Sequence, residues 1–249
     1  MRRFVVSSLA IAGLILSTTL VRAADEPKAI VEKAIKAMGG LEKLSKHKAS
    51  MVKAKGSVEI MGMSIPWKGE FMVQFPGQRK MEIDMDIMGN AFKFVQVLDG
   101  DKAWQVAMGT TDEVTGDKLA ALKFEAYVSR VETLAPLLTE QEFTLSSLGE
   151  AKVAEKPALG VKVSCKGQKD VNLYFDKDTG LLVKTERRAL DPMEQEVTAE
   201  TIYSDYKELE GLKHAMKFEI RHEGKKFLDS ETIEVKLLPK LDTGVFAKP

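Results

Sequence analysis

The stretch RKMEIDMDIMGNAFKF, residues 79–94, decides how the chain is read. Met81, Ile83, Met85 and Ile87 fall on one side of an extended backbone and Glu82, Asp84 and Asp86 on the other, because successive side chains of a strand point to opposite faces. Gly89-Asn90 then turns the chain into a further run at 91–98. A strand with a methionine-lined apolar face needs a covering layer, which the rest of the sequence has to supply.

The same period of two extends in both directions. A run at 51–60 precedes one at about 64–75, where Ile65, Trp67, Phe71, Val73 and Phe75 oppose Lys68, Glu70 and Gln74, and Pro76-Gly77 ends it. Asp99-Gly100 leads into a strand that contains Trp104 and ends near Met108. Further candidates lie near 143–153, 158–166, 170–176, 181–188, 195–206, 214–222 and 226–237, where Val171, Leu173 and Phe175, then Met216, Phe218 and Ile220, then Ile233, Val235 and Leu237 alternate with polar residues.

A helical period occurs in only two substantial places. Residues 27–38 put Ile30, Val31, Ala34, Ile35 and Met38 on one face, with Gly39-Gly40 as the stop and a short helical turn around Leu41 and Leu44 after it. In 117–139, Phe124, Tyr127, Val128, Val131, Leu134, Ala135 and Leu138 recur at three- and four-residue steps, and Pro136 should kink or end the segment.

Ten or more strands with short connections favour antiparallel pairing, and so wide a twisted sheet curls rather than staying flat. The expected fold is α+β: one large curved antiparallel sheet, an unclosed half-barrel of about 10–11 strands, with helices covering the concave face. The apolar sides of the strands are expected to look inward onto one hollow. A helix of about 20 residues is about 30 Å long, enough for 117–139 to lie across such a gutter as a lid. Neither a repeat nor a Pro/Ser-rich linker divides residues 24–249, so they are read as one domain.

The N-terminus reads differently. MRR, an apolar run over 4–20 and Val21-Arg22-Ala23 form the layout of a secretory signal peptide, residues 1–23, cleaved after Ala23. Ser7, Ser8, Ser17, Thr18 and Thr19 dilute the run, which argues against a membrane anchor. A periplasmic or otherwise exported protein, soluble once cleaved, is the expectation. The chain of 249 residues has 37 Lys+Arg and 37 Asp+Glu, and cleavage would leave 34 basic against 37 acidic. That balance gives no support to nucleic-acid binding, which needs a basic stripe. The single Cys165 cannot form an internal disulfide and reads as a small apolar residue.

Motifs for catalysis are missing from the sequence. His47, His214 and His222 do not share a ligating spacing, and no H-E-x-x-H, C-x-x-C pair, P-loop, G-x-S-x-G or G-x-G-x-x-G is present. Glu82, Asp84 and Asp86 read as a solvated outer face, and Lys184, Glu186, Arg187 and Arg188 as a wet strand end. No catalytic residue, metal site or cofactor is expected. Methionine is the unusual feature, with eight of twelve inside 51–108. Core packing, a pliable lining for a hydrophobic ligand and a soft Cu(I) site suggested by Met61-Gly62-Met63 and by Met81 with Met85 are the three readings.

The succession GEFMVQFPGQR at 69–79 and DGDKAW at 99–104, followed by VNLYFDKDTGL at 171–181, YSDYK at 203–207 and LDTGVF at 241–246, resembles the periplasmic lipoprotein-carrier (LolA-like) or outer-membrane lipoprotein-sorting superfamily over nearly the whole mature chain. The resemblance implies an eleven-stranded open barrel whose concave side, plugged by helices, holds acyl chains of a lipid or lipoprotein, with Arg79 near the cavity mouth. The candidate lining is Ile65, Trp67, Phe71, Met81, Ile83, Met85 and Ile87 from the strands, with Tyr127, Val131, Leu134 and Leu138 from the lid. The expected function is an exported carrier or binder of such chains in transit through the cell envelope. Its further partner would be a membrane-bound donor or acceptor protein. The rival is a binding scaffold with a filled interior, followed by a copper handler or an enzyme.

Overall fold

A computed structural model describes residues 27–249; the expected signal peptide lies outside the described residues. Two helices come first, α1 (Pro27–Met38) and α2 (Leu41–Lys46), then six strands: β1 (Ala49–Ile60), β2 (Met63–Gln74), β3 (Gln78–Ile87), β4 (Asn90–Asp99), β5 (Lys102–Ala107) and β6 (Thr110–Val114). Helices α3 (Gly116–Glu132) and α4 (Pro136–Thr139) follow. The chain finishes with β7 (Phe143–Val153), β8 (Lys156–Cys165), β9 (Val171–Asp176), β10 (Leu182–Leu190), β11 (Glu196–Leu209), β12 (Leu212–His222), β13 (Lys225–Leu238) and a 3-10 turn, Thr243–Phe246.

All thirteen strands form one antiparallel sheet in the order β6-β5-β4-β3-β2-β1-β13-β12-β11-β10-β9-β8-β7. It is not closed. The count exceeds the expected 10–11 in part because β6, TTDEV, carries no apolar alternation and gives no signal in the sequence. The first and last strands pair at the sheet's centre, while the two free edges, β6 and β7, are consecutive in the chain and joined by α3 and α4.

Helix α3 explains the curl. Leu119, Leu122 and Ala126 on one flank pack with Leu98, Ala103 and Val114 of β4 to β6. Phe124, Tyr127, Val128 and Val131 on the other pack with α1 and with Val161, Val163, Val171 and Leu173 of β8 and β9. One helix can touch both ends of a thirteen-stranded sheet only if the sheet bends around it. As expected from Pro136, the helical segment breaks: α3 stops at Glu132, Leu134 takes a left-handed φ of 63°, and Pro136 opens α4 at its first turn. Gly39 ends α1 at φ 120°, and a β-carbon there would lie 2.3 Å from the carbonyl oxygen of Gly211, so only glycine lets α1 close on the β11–β12 turn.

The expectation that every apolar face looks inward is corrected in two places. Met72, Val95 and Val97, with Trp104 and Val106 beside them, lie on the convex face, where Leu241 and Phe246 of the C-terminal segment cover them. That segment is anchored by the Leu241 amide, which donates to Gln74 Oε1 at 2.7 Å. In β13, Lys53 pairs with Glu234 but Ala54 with Thr232, so Ile233 is the extra residue of a bulge. It is exposed, and Thr232 and Ser230 turn inward.

Candidate functional site

The concave face is built from residues two apart on each strand: Ser50 and Val52 of β1, Arg79 and Met81 of β3, Thr185 and Arg187 of β10, Thr201 and Tyr203 of β11 share it through cross-strand pairing. Above it lies the underside of α3, a stripe of Glu125, Ser129 and Glu132 between the two apolar flanks. Two cavities remain beneath the helix. One of 440 Å³ runs from Arg79, Met81 and Leu98 across to Arg187, Ala199 and Ile220, with Leu122 and Glu125 overhead and Asp191 and Pro192 of the β10–β11 loop at one side. The other, of 340 Å³, is lined mainly by apolar groups, among them Met38, Leu44, Val52, Phe218 and Val235, with Ser129, Glu132, Tyr203 and His214. Both lie within the volume range of small-molecule sites.

A polar seam pins the helix to the floor between them. Arg187 donates from Nε and Nη2 to the two carboxylate oxygens of Glu125, at 3.0 and 2.8 Å, and from Nη1 to Thr201 Oγ1 at 3.3 Å. Burial would pull the Arg187 pKa down, and the Glu125 carboxylate more than offsets it, so the guanidinium is held charged. Two turns further along, Glu132 Oε1 accepts from the Tyr203 hydroxyl at 2.6 Å and from Thr185 Oγ1 at 3.1 Å. Burial raises the Glu132 pKa and lifts that of Tyr203 well above a phenol's usual value. Arg79 stands beside this pair in the field of Glu125 and Glu132, its pKa lowered by burial. His214 and His222, one at each cavity, have their pKa values lowered by burial too and favour the neutral form.

The structure divides the residues singled out in the sequence. Arg79 and Met81 line the 440 Å³ cavity. Ile65 and Trp67 are buried, with Phe71, Ile83, Met85 and Ile87 against them and Phe227 and Leu228 of β13 completing the cluster. Tyr127, Val131 and Leu134 belong to the core under α1, and Leu138 packs against it. The strand set and the lid set are therefore not brought together. Arg187, read as part of a wet strand end, is turned inward by the alternation of β10, and its neighbours Lys184 and Glu186 point outward with Glu200. Sequence reasoning missed Glu125, Glu132, Thr185, Thr201 and Tyr203. A signal was present in the seven-residue spacing of the two glutamates, which places both on one side of α3, between its two apolar flanks.

Half-barrels of this outline are known. At 14% identity and a TM-score of 0.58, the chain aligns with a DUF1329 family protein from Desulfovibrio piger, covering 90% of this chain and 98% of that one. A LolA superfamily protein from Nitrosomonas europaea gives 0.57 at 10% identity over 90% and 98%, and a putative outer membrane lipoprotein-sorting protein domain from Vibrio parahaemolyticus 0.51 at 11% over 88% and 97%. The fold is LolA-like. No family model and no curated protein matches the sequence. Among the described residues of this LolA-like chain, no helix is long and apolar enough to cross a membrane.

Proposed function

We propose that the chain is an exported carrier that shelters acyl chains of a lipid or lipoprotein beneath α3 while they cross the cell envelope. The observation that carries this reading is the unfilled space: two cavities of 440 and 340 Å³ remain between the sheet and the one helix that spans it. A binding scaffold with a filled interior would leave neither. Each buried CH₂ is worth about 0.8 kcal/mol, so shielding a ~16-carbon chain offers on the order of 12 kcal/mol before ordering and displacement costs.

The two kinds of contact that α3 makes suit loading and release. Its flanks are apolar and non-directional, and its underside is held by a few directional bonds to Arg187, Thr185 and Tyr203 that water can replace when the helix lifts. The similar solved structures that carry the names LolA superfamily and lipoprotein-sorting support the same reading.

The experiment is native mass spectrometry of protein taken from its own compartment, followed by lipid extraction. Adducts that yield an acyl-bearing lipid are expected. A clean apo mass, with no extractable lipid and no uptake of a fluorescent fatty acid, would overturn the reading.

A further inference from the structure

Three hairpins of the N-terminal half of the sheet end in the same pair of residues. Ile60 pairs with Met63 around Met61-Gly62, Ile87 with Asn90 around Met88-Gly89, and Ala107 with Thr110 around Met108-Gly109. In each the methionine has a φ of 50°, 55° or 51° and the glycine one of 78°, 81° or 78°. This is the two-residue turn with both central residues left-handed, for which Asn-Gly and Asp-Gly are the favoured sequences. Methionine is a poor choice for the position, and the geometry does not demand it. The same turn elsewhere in the sheet is made by Glu210-Gly211 and Glu223-Gly224.

The methionines are also among the most exposed side chains, at 86%, 81% and 88%. Since the three hairpins are neighbours in the sheet and turn at the same end, strand spacing places their tips in a row about 20 Å long. Nine large apolar side chains are exposed among the described residues, and six of them, including Ile60, Met63 and Met193, sit at this end. Left-handed strain and full exposure of an apolar group are separate costs, and nothing in the fold repays either.

The charges nearest the tips are mostly acidic: within four residues of a tip lie Glu59, Asp84, Asp86, Asp112 and Glu113 against the single Lys93. Further down the strands the signs mix, with Glu82 paired to Lys80 and Lys93, Asp84 set opposite Lys68 and Lys93, and Lys226 near Glu59. An anionic lipid surface is recruited by Lys and Arg, not by carboxylates. A second copy would set one acidic collar against another across a two-fold contact.

We propose that the row formed by Met61, Met88 and Met108 is a docking surface for a partner protein segment that presents apolar side chains ringed by Lys and Arg. Thioether side chains are flexible and adapt to varied apolar surfaces, and the acidic collar sets the sign of the partner and speeds its approach. The surface lies on hairpin tips apart from the cavities, so the proposal stands whether or not they hold lipid.

The test uses the mature chain and a synthetic amphipathic peptide with Leu and Phe on one face and Lys on the other. Phosphatidylcholine vesicles, with and without phosphatidylglycerol, and sedimentation of the protein alone serve as the other arms. The variant Met61→Asn/Met88→Asn/Met108→Asn puts the residue preferred by the turn at each tip, so its Tm should be unchanged or higher, while peptide affinity should fall about tenfold or more. Asp86→Asn/Asp112→Asn/Glu113→Gln should also weaken binding and flatten its salt dependence. In that variant the acceptor that takes the Gly89 amide at 2.7 Å in the native chain is kept. Equal peptide binding by the native and triple-Asn chains would overturn the proposal. So would methionine-dependent binding to vesicles in place of the peptide, or methionine-dependent self-association without peptide binding.

Discussion

Glu125 of α3 and Arg187 of β10 meet through two parallel hydrogen bonds, Nε to Oε1 at 3.0 Å and Nη2 to Oε2 at 2.8 Å, and so tie the underside of the lid to the floor of the gutter. The Arg187 side chain is 9% exposed and that of Glu125 30%. Removing one partner of such a pair strands the other in a poorly hydrated site. Arg187→Met should lower the unfolding free energy by about 3 kcal/mol, read from urea midpoints. Arg187→Met combined with Glu125→Leu should recover most of that loss. A double variant no better than the single one would show that packing by the arginine stem, not the charge pair, holds this position.

Glu132 gives a pH dependence of defined sign. Burial raises its pKa in the folded chain above the ordinary glutamate value of 4.5 that applies when unfolded. The folded chain therefore keeps a proton that the unfolded chain has lost, and the associated stability is full below the unfolded value and fades as pH rises through the folded one. Glu132→Gln stays neutral and still accepts from Tyr203 and Thr185. Its Tm relative to the native chain should climb between pH 4.5 and 8, and a gap that stays constant with pH would contradict the assignment.

Ala199 is 1% exposed and lines the 440 Å³ cavity opposite Met81. Ala199→Trp would project an indole into that space, so uptake of a fluorescent fatty acid should fall at least about fivefold while the far-ultraviolet spectrum is kept, an effect of the size that lost apolar burial predicts. Normal uptake would move the cargo to the 340 Å³ cavity or out of the hollow altogether.

Trp67 is buried against Phe71, ring centroids 5.9 Å apart, and its indole Nε1 has no hydrogen-bond partner. Trp67→Phe removes an unsatisfied donor worth about 1–3 kcal/mol while giving up some packing, so its stability should stay within about 1 kcal/mol of the native chain. Trp67→Ala should cost about 3–5 kcal/mol. Chemical denaturation of the two variants separates the contributions of ring and N–H.

Elements governed by local period were legible in the sequence. Alternation in 79–94 marked β3 and β4, and the three- and four-residue steps of 27–38 marked α1 with its limits unchanged. What could not be read depended on register. The bulge that expels Ile233 is set by the partner strand β1, and the cover over Val95 and Val97 comes from residues some 150 positions later. The site was harder still. Arg187 and Arg188 are adjacent and chemically alike, and only the phase of β10 sends one inward to Glu125 and leaves the other exposed beside Glu196 and Glu223. The methionine tips fall inside the methionine-rich stretch 51–108, where a lining and a rim look the same until the hairpins are aligned.

The joining of β6 to β7 through α3 has a mechanical consequence. The two free borders of the sheet are the ends of a single tether, and its middle is seated on both walls. Widening the mouth must therefore unseat that tether first, while the strand ladder beneath can stay intact. Access to the interior is set by how tightly one segment grips, independently of how stiff the thirteen strands are.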